Sequence, residues 1–382
     1  MAGMNLYEKG TNRMKSRYQY LDFIRGIAVL LVMYGHLISV GTGALEIPET
    51  INQINNVYLP ILPSDSHNLW KFDVLLIQGA ATESAVTGVF LFFLLTGYLI
   101  PDSLKKYANP VRFLINRFFR IFPTLWVCEI IVCIVLYISQ GISFSSIRIM
   151  STMFMLYEFF GVPAISGVLW TLSIELFFYI LCAILQKFSI LKIYAILFIT
   201  VILIGVGPSR SYYIDRIVTN LKWISIVLCS VTFRLAEKDH ETGNNHSIKH
   251  ILFVPVISFI CFNLYANNFG DDSTYFHLGT YLLALSIFFG AASLNKYAPN
   301  IFDNPLLKPV YKLAEICLPL YLTHVAVGLP LMYQLKMWGF FPVLIPFIAA
   351  CISILLAQVI HWCMDKPCKK MEKVCSDAIF VR

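Results

Sequence analysis

Arg25 and His36 stand eleven residues apart in RGIAVLLVMYGH, inside an apolar run where a charge near mid-bilayer costs about 3 kcal/mol. At 100° per residue that spacing is about three helical turns, about 16 Å along one face, so both side chains are expected to point into one groove. An imidazole there can accept a proton from a hydroxyl, and Glu175, in GVLWTLSIELFFY, is a carboxylate able to orient or charge it. Counted along the helices, His36 falls about 24 Å above the inner surface and Glu175 about 10 Å below the outer one, so a His36 and Glu175 pair is geometrically allowed. Two readings share these residues. One is general-base catalysis on a hydroxyl nucleophile; the other is a His36 that hydrogen-bonds a neighbouring helix beside a protonated Glu175.

Arg117 and Arg120, in NRFFRIFP, lie three apart on one helix face, with Lys105, Lys106 and Arg112 just upstream. Guanidinium forks hold phosphate bidentately, so this cationic mouth suits a phosphate-bearing donor such as a nucleotide or coenzyme. The bias of cations to inner loops explains it equally well. Glu129 and His324, the latter in LPLYLTHVAV, fall near mid-depth of their spans, where either can join a polar cavity; a structural role is the stronger reading for Glu129. Thr96 and Gly97, in GVFLFFLLTGYLI, make a small polar break whose default role is helix packing. No CxxC pair, HExxH helix or acidic calcium loop occurs, and Cys363 with Cys368 lacks histidines at zinc spacing, so no metal is expected.

The elements that must carry these residues follow from composition. Of 382 residues 58% are hydrophobic and 13% charged, against about 25% charged in a soluble chain. A soluble globular protein is excluded. Spanning segments must satisfy their own backbone groups, and apolar runs this long favour helices over a barrel, so the fold class is all-α and polytopic. Ten runs qualify, near 20–40, 84–100, 119–139, 168–187, 190–206, 217–236, 250–266, 275–294, 313–332 and 341–363. They divide the chain into an N-terminal segment 1–19, a membrane domain 20–363 with a long outer loop at 41–83, and a C-terminal tail 364–382. The polar stretch 237–250 reads as a mobile inner loop.

Lysine and arginine gather on one side of these spans, leaving Lys71, Arg148, Arg210, Arg216 and Lys336 on the other. The positive-inside rule then selects two cytoplasmic termini. The net charge of +7 is dispersed between apolar runs and forms no basic stripe, so nucleic acid is not an expected partner. Arg25 and the lack of a small-residue cleavage site make the first span a retained anchor. None of the ten cysteines falls in a proposed outer loop, which argues against a disulfide framework. From these features alone a secondary transporter, or a glycan ligase or polymerase, stands beside an enzyme of hydroxyl chemistry.

Taken in order, RGIAVLLVMYGH, GVFLFFLLTGYLI, RFFRIFP, WTLSIELFFY, YLTH and the DKP after the last span carry a resemblance. From about Leu21 to Pro367 the chain resembles the acyltransferase-3 family. The resemblance implies a ten-helix bacterial inner-membrane protein that moves an acyl group, usually acetyl, from cytoplasmic acyl-CoA to a hydroxyl of a surface polysaccharide or other envelope glycan. It makes Arg25 and His36 the family's paired arginine and histidine, with His36 as base, and Arg117 and Arg120 the arginines that engage acyl-CoA. Glu175 is the acidic position following a tryptophan, Trp170, and Thr96 with Gly97 stands where the family usually has Ser-Gly. Phe90 takes a place that is often acidic, and 41–83 is long for the family, which bears on acceptor specificity. The partners implied are acetyl-CoA as donor substrate, a glycan or lipid-linked sugar as acceptor, and membrane lipids, with no permanently bound cofactor. With about 20 residues after the last span, no appended hydrolase-like domain is expected, so the chain would act alone or with a separate partner.

Overall fold

The computed structural model describes residues 19–40, 84–270, 274–341 and 344–380. The segments 1–18 and 41–83, and with them the expected long outer loop, lie outside the described residues. Each of the ten apolar runs forms helix. They are α1 (Gln19–Ile38), α2 (Ser84–Lys106) and α3 (Pro110–Gln140), then, after a short α4 (Ser146–Met153), α5 (Trp170–Leu185), α6 (Ile190–Val206), α7 (Tyr212–Glu241), α8 (His250–Phe269) and α9 (Thr274–Tyr297). The short α10 (Lys308–Glu315) leads into α11 (Cys317–Met337) and α12 (Ile345–Phe380).

Among the described residues, 7 helices are long and apolar enough to cross a membrane, or 8 if the segment Pro305–Glu315 and α11, bent by 72° at their junction, count as one span. The other two predicted spans, α5 and α6, are apolar but only 16 and 17 residues long. No strand occurs among the described residues. The chain is an all-α polytopic membrane protein.

Local chemistry sets the ends. Asn109 caps α3 by accepting the N–H groups of Val111 at 2.8 Å and Arg112 at 3.2 Å, with Pro110 at the first helical position. That cap starts the helix at Pro110, about two turns before Arg117, so both arginines sit in a well-formed helix rather than at a frayed end. Gly141, at φ 69°, closes it in the left-handed conformation. Helix packing is set by small residues: a Cβ on Gly97 would stand 2.1 Å from the Val227 carbonyl oxygen, so α2 and α7 touch backbone to backbone.

At the end of the bundle where α2 finishes and α3 begins, polar side chains tie the helices. Asp102 takes Arg234 at 3.2 Å and Lys238 at 2.7 Å, Glu237 accepts from Tyr98 at 2.7 Å, and Asn116 donates to Glu372 at 2.7 Å. These contacts revise one expectation. The stretch 237–250 was read as a mobile loop because it is polar; its first residues instead continue α7 to Glu241, Glu237 and Lys238 are used in ion pairs, and Ser247 is buried and hydrogen-bonded to Asp239. The C-terminal stretch after 363 continues α12 as helix through Phe380.

Candidate active site

A pocket of about 120 Å³ lies between α1, α2, α3, α5 and α11. Its polar wall comprises Arg25, Thr96, Arg117, Arg120, Glu175 and Tyr179, with Thr171, Cys317 and Tyr321 beside them, and Val89, Phe93, Leu172 and Leu318 supply apolar wall. Five of the residues singled out by sequence thus meet, although 150 positions separate Arg25 from Glu175. A larger hollow of about 870 Å³ opens between α1, α7 and α9, walled by Arg234, Glu237, His240, Lys296 and Asp303. Its charges are of both signs, partly consumed by the ion pairs above, and none of the candidate residues lines it.

Each charged group in the smaller pocket is held differently. Arg117 is buried, donates to the Ser103 hydroxyl, and packs beside two rings set edge to face, its guanidinium carbon 5.0 Å from the Phe113 centroid and 4.9 Å from that of Tyr179. Its Nε has no hydrogen-bond partner among the described residues. Arg120, one turn on, reaches the pocket from an exposed position. Arg25 pairs with Asp22 at 2.5 Å. Glu175 accepts from the Tyr179 hydroxyl one turn along α5 and from Thr96 Oγ1 at 3.3 Å. Three guanidiniums against one carboxylate leave the pocket wall net positive, which suits an anion.

His36 lies elsewhere. The last turns of α1 widen into π-helix over Tyr34–Val40, a distortion that often marks functional positions. There the half-buried His36 points its Nδ1 at Nε2 of His324, 2.9 Å away. His324 is fully buried, and its Nδ1 faces the carbonyl oxygens of Tyr321 at 2.8 Å and Leu320 at 3.1 Å.

Two expectations are corrected here. Arg25 and His36 do not share a pocket: Arg25 lines it and His36 does not, since eleven residues of helix set the two about 16 Å apart along α1. Nor does Glu175 pair with His36. The chain just before α5, residues 164–169, is already buried, so α5 starts at Trp170 inside the bundle. Thr171 Oγ1 and the Tyr321 hydroxyl, 2.8 Å apart, mark a common level. From it Glu175 lies one turn toward the arginines and His324 nearly one turn the other way, an offset of about 10 Å along the helices.

The remaining candidates divide. Trp170 packs against Trp223 with centroids 4.9 Å apart and planes tilted by 50°, Gly97 serves the α2 and α7 contact, and Glu129 is buried with both carboxylate oxygens lacking a hydrogen-bond partner among the described residues and lies outside the pocket. Sequence reasoning passed over Tyr179, Tyr321 and Cys317. Tyr179 carried a legible signal, being four residues after Glu175 on one helix face.

An all-α membrane bundle with a cationic pocket at one level and a histidine pair about two turns away defines the class. Residues 18–362 match the family model described as the acyltransferase domain, and the chain belongs to the acyltransferase-3 family. It is also similar to Nodulation protein 10 of Rhizobium leguminosarum bv. viciae, 32% identical over 132 residues. That match covers 29% of this chain and 34% of the relative, so it spans about a third of the relative's length. No solved structure matches the chain.

Proposed function

We propose that the protein is a membrane O-acyltransferase that takes acetyl from cytoplasmic acetyl-CoA and places it on a sugar hydroxyl of a surface polysaccharide or another envelope glycan. The observation that carries this reading is the pocket in which Arg25, Arg117 and Arg120 meet with Glu175 and Thr96. Membership in the family supplies the chemistry. The arginines hold the phosphates of the donor, bidentate contacts being the strength of guanidinium. The apolar wall of Val89, Phe93 and Leu172 accommodates the thioester arm as it extends toward His36.

The sugar hydroxyl gives its proton to a His36 ring nitrogen as its oxygen attacks the thioester carbonyl. The C–S bond then breaks, CoA leaves as thiolate and takes up the proton, and an ester remains on the sugar. The reading places the protein in the bacterial inner membrane with ten crossings and both termini cytoplasmic, the side on which the arginine pocket opens and the donor is available.

The test is transfer of radiolabelled acetyl from acetyl-CoA to extracted glycan in membranes with and without the protein. Label on the glycan only in its presence is expected. Movement of a glycan or other solute across the membrane with no label transferred would replace this reading with a transporter.

A further inference from the structure

We infer that His324 is a positioning residue that fixes which nitrogen of His36 is free to accept a proton, a conclusion that rests on the reading of His36 as base. The argument is one of hydrogen-bond direction. His324 Nδ1 faces two backbone carbonyl oxygens, Tyr321 at 2.8 Å and Leu320 at 3.1 Å, which can only accept. Nδ1 therefore carries the proton. With one proton per ring, His324 Nε2 is an acceptor, and the atom 2.9 Å from it, His36 Nδ1, must donate. That leaves His36 Nε2 unprotonated. A half-buried imidazole, free to choose either tautomer in water, is locked into the form that presents a lone pair away from α11.

The support behind the lock is rigid. His324 is fully buried, with its ring 5.9 Å from that of Tyr321, itself buried on α11. The hydroxyl of Tyr321, one turn before His324 and lining the pocket, is pinned 2.8 Å from Thr171 Oγ1. When His36 accepts the sugar proton at Nε2, its Nδ1–H already points at an acceptor, so the charge that develops is met by a preformed partner without reorganisation. The arrangement plays the part that a buried carboxylate plays in a hydrolytic triad, with an imidazole and a carbonyl in its place.

The experiment compares His36→Ala, His324→Leu, His324→Gln and His324→Asn in full-length protein, with kcat and the donor KM measured separately. Gln places a carbonyl oxygen where Nε2 stood; Asn is too short to reach His36. His324→Leu and His324→Asn are expected to lose about 100-fold in kcat, the scale on which supporting partners of a functional imidazole act, with donor KM unchanged. His324→Gln should recover to within about ten-fold of the unaltered protein. Should Leu fail to insert, the Gln and Asn comparison decides alone: equal kcat in the two overturns the lock. Loss of transfer in His36→Ala with full transfer in His324→Asn also overturns it while leaving the base reading intact. Retained transfer in His36→Ala overturns both.

Discussion

The guanidinium of Arg117 lies 4.9 Å from the ring centroid of Tyr179, and the hydroxyl of the same tyrosine donates to Glu175. One aromatic side chain thus links the cation and the carboxylate of the pocket, holding them on α3 and α5 at a fixed separation. Arg117 is pre-set for an anion by its ring contacts and by Ser103, so little of its side-chain freedom remains to be lost on binding.

Arg117→Lys should therefore cost more than its retained charge suggests. Lysine keeps the charge and loses both the planar fork and its contacts with the Phe113 and Tyr179 rings. Cation–π contacts are worth about 0.5–2 kcal/mol, and with one bidentate contact gone a rise of about ten-fold or more in the acetyl-CoA dissociation constant is expected. Isothermal titration in detergent measures it, and an unchanged constant would remove Arg117 from the donor site.

Tyr179→Phe keeps the ring under Arg117 and deletes the bond to Glu175. The donor constant should change by less than about three-fold, while Tyr179→Ala should approach the Arg117→Lys value, since one hydrogen bond contributes about 1 kcal/mol and the ring contact is shared. Equal effects of the two substitutions would show that the hydroxyl, and not the ring, positions the arginine.

Cys317 lines the pocket with Arg25 and Arg120. A maleimide should modify it, and saturating acetyl-CoA should slow that modification at least several-fold. Peptide mass spectrometry of the labelled protein reads the site directly. Labelling of Cys317 at the same rate with and without acetyl-CoA would place the donor elsewhere.

Gly97→Val forces a branched side chain into a gap where even a Cβ would stand 2.1 Å from the Val227 carbonyl and 2.3 Å from Ser230 Oγ. Overpacking of this kind costs about 1–3 kcal/mol. A lower melting temperature in detergent is expected, together with reduced transfer, because Thr96 on the same turn faces the pocket. Thr96→Val, which leaves the α2 and α7 contact alone, should spare the melting temperature.

Much of the architecture was legible because membrane helices announce themselves by length and hydropathy; every one of the ten apolar runs is helical. The arginine pair was legible for a similar local reason, three-residue spacing on one face. Depth was not. The count that matched His36 with Glu175 assumed helices starting at the surface, whereas α5 starts at Trp170 after a stretch, 164–169, that is already buried. That start leaves no residue pattern that periodicity detects. Lys222 escaped notice for a different reason. It sits inside an apolar run as one polar residue among many, and only the folded chain brings its ammonium 3.9 Å from the Tyr265 ring centroid. His324 was visible as a polar residue in a span, but its partner lies 288 positions away.

The 72° junction before α11 turns the amino end of a 21-residue helix toward the anion pocket, where Cys317 and Leu318 form part of the wall. The macrodipole of that helix adds roughly half a positive charge there, made of peptide groups that no side-chain replacement removes. Substitution of any single arginine should on this account leave measurable residual attraction for the donor, and a proline or insertion that straightened the junction should damage donor capture while every guanidinium stayed in the sequence.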